Sequence, residues 1–173
     1  PGGFTGKWMV SRGAAEGGLK TADLWGNDAA GAGKLRLQGN GTRTLAGNNS
    51  YTGGTQVGGG TLAAASATAF GKGDVYVGSG GGVQIAANAP VTIATRYTQL
   101  DNTTLELDID GNGGGRLRVG GTLTVTGGTL HVKFVNGYTP KAGDTIALID
   151  GAAAAAKFSQ VTVDGFKATP VYT

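Results

Sequence analysis

The chain has 173 residues, of which 35 are glycine and none is cysteine, and its formal net charge is +3. Disulfides and thiolate metal sites are therefore excluded, and the scattered Lys and Arg residues argue against a nucleic-acid partner, which needs a clustered basic face. Charged residues make up only 14% and hydrophobic residues 39%. Because the apolar residues fall in short alternating runs, we expect an ordered all-β chain rather than a disordered one.

Residues 1–33 are rich in Gly and Ala and show weak periodicity. Trp8–Val10 and Leu24–Trp25 could each form a short strand. We interpret residues 1–33 as a lead-in or linker rather than an independent domain. No apolar run in the chain approaches the ~20 residues that a helix needs to span a bilayer.

A sharper pattern of short strands begins at Lys34 and continues to Phe134. Most of these strands have three to six residues, and almost every gap contains Gly, Asn or Asp. The frame Gly-Gly-Thr returns at Gly53, Gly59, Gly120 and Gly127, and each copy is predicted to be a turn that opens a strand.

Recurring turn–strand units are typical of a solenoid, in which each coil buries its apolar face against the next. A β-sandwich also has regularly spaced short strands, but the repeated frame and the small aliphatic residues favour a parallel β-helix with coils over residues 34–133. The residues predicted to point inward are Leu35, Leu37, Val57, Leu62, Val75, Val77, Leu105, Leu107, Leu117, Val119, Leu123, Val125, Leu130 and Val132.

The composition changes in residues 134–173, where aromatic residues become frequent. Large side chains cover the open end of a solenoid well, so we predict a C-terminal β cap over this range and expect it to be the most stable part of the chain. Residues 145–149 are predicted to follow a loop as an extended segment, and Ala152–Ala156 to form one helical turn or a loop. The aromatic residues assigned to the cap are Phe134, Tyr138, Phe158, Phe166 and Tyr172.

Residues 47–62 read Gly-Asn-Asn-Ser-Tyr-Thr-Gly-Gly-Thr-Gln-Val-Gly-Gly-Gly-Thr-Leu. This run resembles the strand repeat associated with the passengers of bacterial autotransporters. Residues 116–173 are similar to the C-terminal passenger region, with Gly-Gly-Thr-Leu at 127–130, Gly-Tyr-Thr-Pro-Lys-Ala-Gly-Asp at 137–144 and Phe-Ser-Gln-Val at 158–161. Residues 7–28 resemble, less specifically, a linker that precedes this repeat where the passenger carries a subtilisin-like protease.

The resemblance implies a right-handed parallel β-helix, type V secretion and a place at the bacterial cell surface. It also implies two partners in the parent chain: an outer-membrane β-barrel after Thr173 and an upstream passenger, which could be a hydrolase. The segment similar to residues 117–172 is often an autochaperone that folds first outside the cell. A host surface or a glycan is a further possible partner, and we expect a monomer.

Asp108-Ile109-Asp110-Gly111-Asn112 imitates the start of a calcium loop, because alternating carboxylate and amide oxygens suit a hard cation. The twelfth position of such a loop would need a Glu, and counting from Asp108 it is Val119. We therefore favour an Asn/Gly turn between two coils and predict no metal ligand.

His131 is the single histidine of the chain, and alternation predicts that it faces solvent beside Lys133. A catalytic His needs an oriented partner, and none is evident from the sequence. The acidic cluster Asp101, Glu106, Asp108 and Asp110, followed by Arg116 and Arg118, could belong to a polysaccharide-degrading β-helix. The simpler interpretation is that these charges keep an exposed face wet.

The sequence thus predicts a structural and secretion-assisting stalk of an autotransporter passenger, with no catalytic, metal-binding or cofactor-binding residue. One alternative is an adhesin-type binding surface, which exposed aromatic residues on one face would favour. A second alternative is a polysaccharide-degrading enzyme, which a pocket with paired carboxylates would favour.

Overall fold

The computed structural model describes residues 7–11, 24–25, 34–88 and 90–172. Within these ranges the regular secondary structure is entirely β-strand. The described residues therefore contain no helix long and apolar enough to cross a membrane. The strands are β1 (Lys7–Ser11), β2 (Leu24–Trp25), β3 (Lys34–Gln38), β4 (Thr42–Leu45), β5 (Thr55–Val57), β6 (Thr61–Ala64), β7 (Val75–Val77), β8 (Gly82–Ile85), β9 (Val91–Ile93), β10 (Tyr97–Gln99), β11 (Thr104–Ile109), β12 (Leu117–Val125), β13 (Thr129–Phe134), β14 (Ile149–Ala156) and β15 (Gln160–Val163).

The strands form two parallel sheets. Sheet 1 has the order β1-β3-β5-β7-β10-β12-β14, with β9 pairing to β12, and sheet 2 has the order β2-β4-β6-β8-β11-β13-β15. Every ladder is parallel. The chain therefore alternates between the two sheets, with β9 and β10 as two consecutive strands of sheet 1, and the fold is an all-β parallel β-helix, as the sequence predicted. The expected strands around Trp8–Val10 and at Leu24–Trp25 are confirmed as β1 and β2.

The core lies between the two sheets and consists of stacked inward rows. In sheet 2, Leu62, Val83, Leu105 and Leu130 are successive register partners, and Ala64, Ile85, Leu107 and Val132 form the next row. All fourteen residues predicted to point inward are buried. Since apolar burial contributes ~25 cal/mol per Å², each added coil stabilises the one before it as well as itself.

Three of the four Gly-Gly-Thr frames open a strand as predicted, at β5, β6 and β13. The prediction is wrong for Gly120-Gly121-Thr122, which lies inside β12. The first part of β12 pairs with β9 and the last part with β10. This copy therefore lies opposite the gap between β9 and β10. A Cβ at Gly120 would lie 2.8 Å from the Ala94 carbonyl oxygen, so the close approach of the two backbones requires glycine here.

Three polar residues of the repeat at 47–62, Asn49, Tyr51 and Thr55, point into the molecule and link adjacent coils. The Asn49 side-chain amide donates to the Ala69 carbonyl over 2.7 Å. The Tyr51 hydroxyl is 2.6 Å from Thr55 Oγ1, which itself donates to the Phe70 carbonyl. Asn49, Tyr51 and Thr55 are all buried, so these bonds satisfy polar groups that would otherwise be costly inside the fold.

Three further polar side chains lie in the core. Tyr97 and Gln99 are fully buried in β10, and the Tyr97 hydroxyl donates to Gln99 Oε1 over 2.7 Å. Burial raises the pKa of Tyr97 well above its ordinary value. Arg43 is also buried and occupies an inward position of β4, opposite Leu62.

The C-terminal segment differs from the prediction in its strands. Ala152–Ala156 is neither a helical turn nor a loop but part of β14, which pairs with β12. Of residues 145–149, only Ile149 belongs to a strand. Alanine favours helix intrinsically, but the open edge of β12 offers backbone partners along a whole strand, and that pairing prevails. The proposed division into residues 1–33, 34–133 and 134–173 stays a prediction.

The aromatic residues assigned to the cap do not all cover the core. Phe158 is buried, and Phe134 and Tyr138 are half-buried against the core. Phe166 and Tyr172 are 42% and 51% exposed, so the expectation of burial is wrong for these two. They make local contacts instead: the Phe166 ring meets Phe134 edge-on at 5.2 Å, and the Tyr172 hydroxyl accepts a hydrogen bond from the Phe158 amide.

Candidate functional surfaces

A row of polar side chains runs across the outer face of sheet 2. Gln84, Glu106, His131 and Thr162 are successive register partners on β8, β11, β13 and β15. They alternate with the buried aliphatic positions, so the pattern of strand residues alone sets their outward direction. Adjacent strands are ~4.8 Å apart, which brings charged groups from distant parts of the sequence within contact.

His131 is the centre of this row. Its Nδ1 is 3.3 Å from Glu106 Oε1, and its Nε2 is 2.8 Å from Asp164 Oδ1. The imidazole is on the outer face, as predicted, but it is 26% exposed rather than free in solvent. The sequence interpretation missed its two carboxylate partners, of which Glu106 precedes it by one coil and Asp164 follows it by one coil.

Two carboxylates of β11 lie beside each other on this outer face. Burial raises the pKa of Glu106, and the hydrogen bond and negative charge of Asp108 raise it further, whereas the charges of His131 and Lys133 lower it. Asp108 Oδ2 accepts a hydrogen bond from the Gln84 side-chain amide over 2.9 Å. The structure therefore joins Glu106 and Asp108 with His131.

The remaining members of the acidic and basic set lie elsewhere. Asp101 is exposed in the turn before β11, and Asp110 follows the end of that strand. Arg116 is half-buried, and the exposed Arg118 is the register partner of Asp150 in the neighbouring strand. The predicted cluster thus separates, and only two of its carboxylates share a contact network.

The calcium-like run forms a turn closed by its own side chains. Asp110 Oδ1 accepts a hydrogen bond from the Asn112 backbone amide over 2.9 Å. Asp108, the first residue of the run, is on β11 and directed toward Gln84 instead. Over residues 34–88 and 90–172, no three His, Asp or Glu side chains are arranged to hold a metal ion.

The outer face of sheet 1 carries a second row, formed by the register partners Arg36, Gln56, Tyr76, Thr98 and Thr124. Tyr76 is the aromatic member of the row and is 40% exposed. Its ring lies over Gly78, where an added Cβ would be 3.1 Å from Tyr76 Cε1. One exposed aromatic ring among amide and hydroxyl groups is the feature of this face that could contact a partner.

The contacts of His131 hold neighbouring parts of sheet 2 together and do not leave the imidazole placed as a general base. Both imidazole nitrogens face carboxylate oxygens. A general base needs a free nitrogen within reach of the proton that it removes. The network therefore links β11, β13 and the turn that follows β15.

The alternation of the strands could have placed His131 on the outer face, but not its partners. Coil length varies along the chain: Thr55 pairs with Val75 after 20 residues, Val75 with Tyr97 after 22, and Tyr97 with Leu123 after 26. A fixed period would therefore not have predicted that Glu106 faces His131. The carboxyl-terminal partner, Asp164, lies in the turn after β15, and no motif distinguishes it.

Comparison with known proteins gives one informative similarity. The chain is 33% identical over 112 residues to the protein named "Adhesin BmaC autotransporter" of Brucella suis biovar 1 (strain 1330). The match covers 64% of this chain but only 3% of that protein. No protein-family model and no solved structure matches the chain. The sequence similarity and the parallel β-helix together are consistent with a passenger region of an autotransporter.

Proposed function

We propose that this chain is a stalk segment of an autotransporter passenger, displayed at the bacterial cell surface and supporting functional domains elsewhere in the parent chain. The observation that carries the proposal is the continuous stacking of inward aliphatic rows through both sheets. A solenoid of this kind depends on contacts between neighbouring coils. It forms an extended support without disulfides, since the chain has no cysteine.

The same architecture suits a chain that crosses a membrane unfolded and folds outside. Each finished coil exposes a parallel edge on which the next strand can form. The apolar area buried at each step stabilises the exported part of the chain, so folding outside would bias transport in the outward direction. The proposal assigns no catalysis to the chain.

Residues 134–173 are proposed to act as the autochaperone-like cap of this stalk. Phe158 supplies a buried anchor, and Phe134, Tyr138, Ile146 and Leu148 are half-buried and pack against the same core cluster. The contact of the Tyr172 hydroxyl with the Phe158 amide ties the last described residues back to this anchor. Such a closed end would provide the first surface on which upstream coils could fold.

A test of the stalk proposal compares two substitutions in β11 of the natural full-length protein, expressed in its own bacterium. Leu107 is fully buried, and Thr104 is exposed on the same strand. Leu107→Ser should cost at least the ~2–5 kcal/mol of a buried Leu truncation, and it should reduce the protease-resistant passenger at the cell surface severalfold. Thr104→Ser is the matched control and should leave surface display unchanged. Full display of both variants would contradict the proposal.

An adhesin-type binding surface is a second candidate, favoured by the exposed ring of Tyr76 and by the name of the similar protein. The partner would be a host surface or a glycan that packs against the ring. Tyr76→Ala should then reduce adhesion of bacteria that display the natural full-length protein, and Thr98→Ala in the same row is the control. Equal adhesion at equal display would exclude Tyr76 as a contact.

A further inference from the structure

We propose that His131 is a pH-sensitive fastening that holds the terminal strand β15 of sheet 2 against β11 and β13. The inference concerns the described strands alone and does not depend on the role of the chain as a stalk. It rests on the position of the imidazole between two carboxylates from different coils: Glu106 Oε1 is 3.3 Å from Nδ1, and Asp164 Oδ1 is 2.8 Å from Nε2.

The protonation state of the imidazole decides how many of these contacts are favourable. Imidazolium carries a proton on both nitrogens and can donate to Glu106 and Asp164 together. Neutral imidazole has one N–H and one lone pair, so one nitrogen then faces a carboxylate oxygen without a proton between them. The fastening should therefore be complete when the imidazole is protonated and partial when it is neutral. Histidine as a residue type changes its charge between pH 5 and 8, and the two states are compared across that range.

The other ionisable groups around the imidazole set the limits of this range. Asp108 on β11 and Lys133 on β13 are the register partners that follow Glu106 and His131 along the same face. Burial and Asp108 raise the pKa of Glu106, so this carboxyl takes up its proton at a higher pH than usual.

The strand that the network holds is at the margin of the fold, where Val161 and Val163 pack against the core. β15 has four residues, lies at the edge of sheet 2 and pairs only with β13 among the described strands. None of its residues is fully buried. The Asp164 backbone amide donates to the Val132 carbonyl over 3.1 Å, which is the last backbone hydrogen bond between β13 and the β15 segment. Exchange of the Asp164 amide therefore reports on the same residue whose carboxylate contacts His131.

The experiment is hydrogen exchange on the natural full-length protein at pH 5.5 and pH 7.5, with rates corrected for the intrinsic effect of pH. Protection of residues 160–164 is compared with that of β11, which lies inside sheet 2. In the unmodified protein, protection of β15 relative to β11 should fall about three- to fivefold between the two pH values, as expected for the loss of a partly exposed ion pair.

Two variants separate the fastening from other effects of pH. His131→Gln keeps a polar side chain and should remove the pH-dependent part of the change, and Asp164→Asn should do the same from the other side of the contact. Arg118→Gln, which removes an exposed positive charge from β12 in sheet 1, is the control and should keep the response. The proposal would be overturned if the ratio of β15 to β11 protection did not change with pH, or if it fell as much in His131→Gln and Asp164→Asn as in the unmodified protein.

Discussion

The hydrogen bond between Tyr97 and Gln99 provides a quantitative test of the interior. Both side chains are fully buried, and the Tyr97 hydroxyl donates to Gln99 Oε1 over 2.7 Å. Gln99 Nε2 has no hydrogen-bond partner among the described residues. Tyr97→Phe would leave Gln99 Oε1 without its hydrogen-bond donor as well. An unsatisfied buried polar group costs ~1–3 kcal/mol. We therefore expect Tyr97→Phe to destabilise the chain by ~1–3 kcal/mol.

Replacing both partners should reverse most of that loss. Gln99 occupies an inward row between Val77 and Val125, where leucine would meet apolar neighbours. When both polar groups are replaced by apolar ones of similar shape, the change in stability can be close to zero or favourable. The double variant Tyr97→Phe/Gln99→Leu should thus be more stable than Tyr97→Phe alone.

Urea unfolding followed by far-ultraviolet circular dichroism measures these differences, with the dependence on denaturant compared between variants. Thr98→Val is the control, because Thr98 lies between the two residues but on the outer face, and it should change stability by less than ~0.5 kcal/mol. A double variant as unstable as Tyr97→Phe would refute the argument that the unsatisfied amide causes the loss.

Three further predictions concern burial and charge. Phe158→Ala should cost ~3–5 kcal/mol in the same assay, whereas Phe166→Ala should cost far less because that ring is 42% exposed; similar losses would contradict this. Burial raises the pKa of Tyr51 and Tyr97, so the stability of the folded chain should decline above pH ~10. Both phenols should ionise only when the chain unfolds in alkali, and ultraviolet absorbance measures that ionisation. Since Glu106 has a raised pKa, its charge opposes folding as pH rises past 4.5. The melting temperature of Glu106→Gln, measured relative to that of the unmodified protein, should therefore increase from acid to neutral pH. A constant difference between the two would contradict this.

The core of this fold could be predicted from sequence because a strand has a period of two. Leu105 and Leu107 alternate with Glu106 and Asp108, and that alternation is sufficient to assign an inside and an outside without knowing which strands pair. Three of the four Gly-Gly-Thr frames then mark the turns after which strands begin.

Strand β14 could not be predicted in the same way. Ala152–Ala156 has no alternation, because small identical side chains fit either face of a sheet or one side of a helix. Its state depends on the open edge of β12, which is a tertiary effect. The exposure of Phe166 has a similar origin, since nothing in the local sequence fixes where the chain goes after β15.

The contact network of His131 depends on register between coils of unequal length. The offset from Glu106 to His131 is 25 residues, against 20 between Thr55 and Val75. Local patterns carry no information on such offsets, so a single sequence predicts the face of a charged residue far better than its partners.

The register of the parallel β-helix is the central claim, and engineered cross-links test it most directly. The natural chain has no cysteine, and Thr98 and Thr124 are outward register partners on β10 and β12. Partners on adjacent strands lie within the ~4.4–6.8 Å Cα separation that a disulfide requires. Thr98→Cys/Thr124→Cys should therefore form an intramolecular disulfide under mild oxidation, and Thr98→Cys/Thr122→Cys, two residues out of register, should form little. Efficient cross-linking of the second pair and none of the first would contradict the stacked architecture.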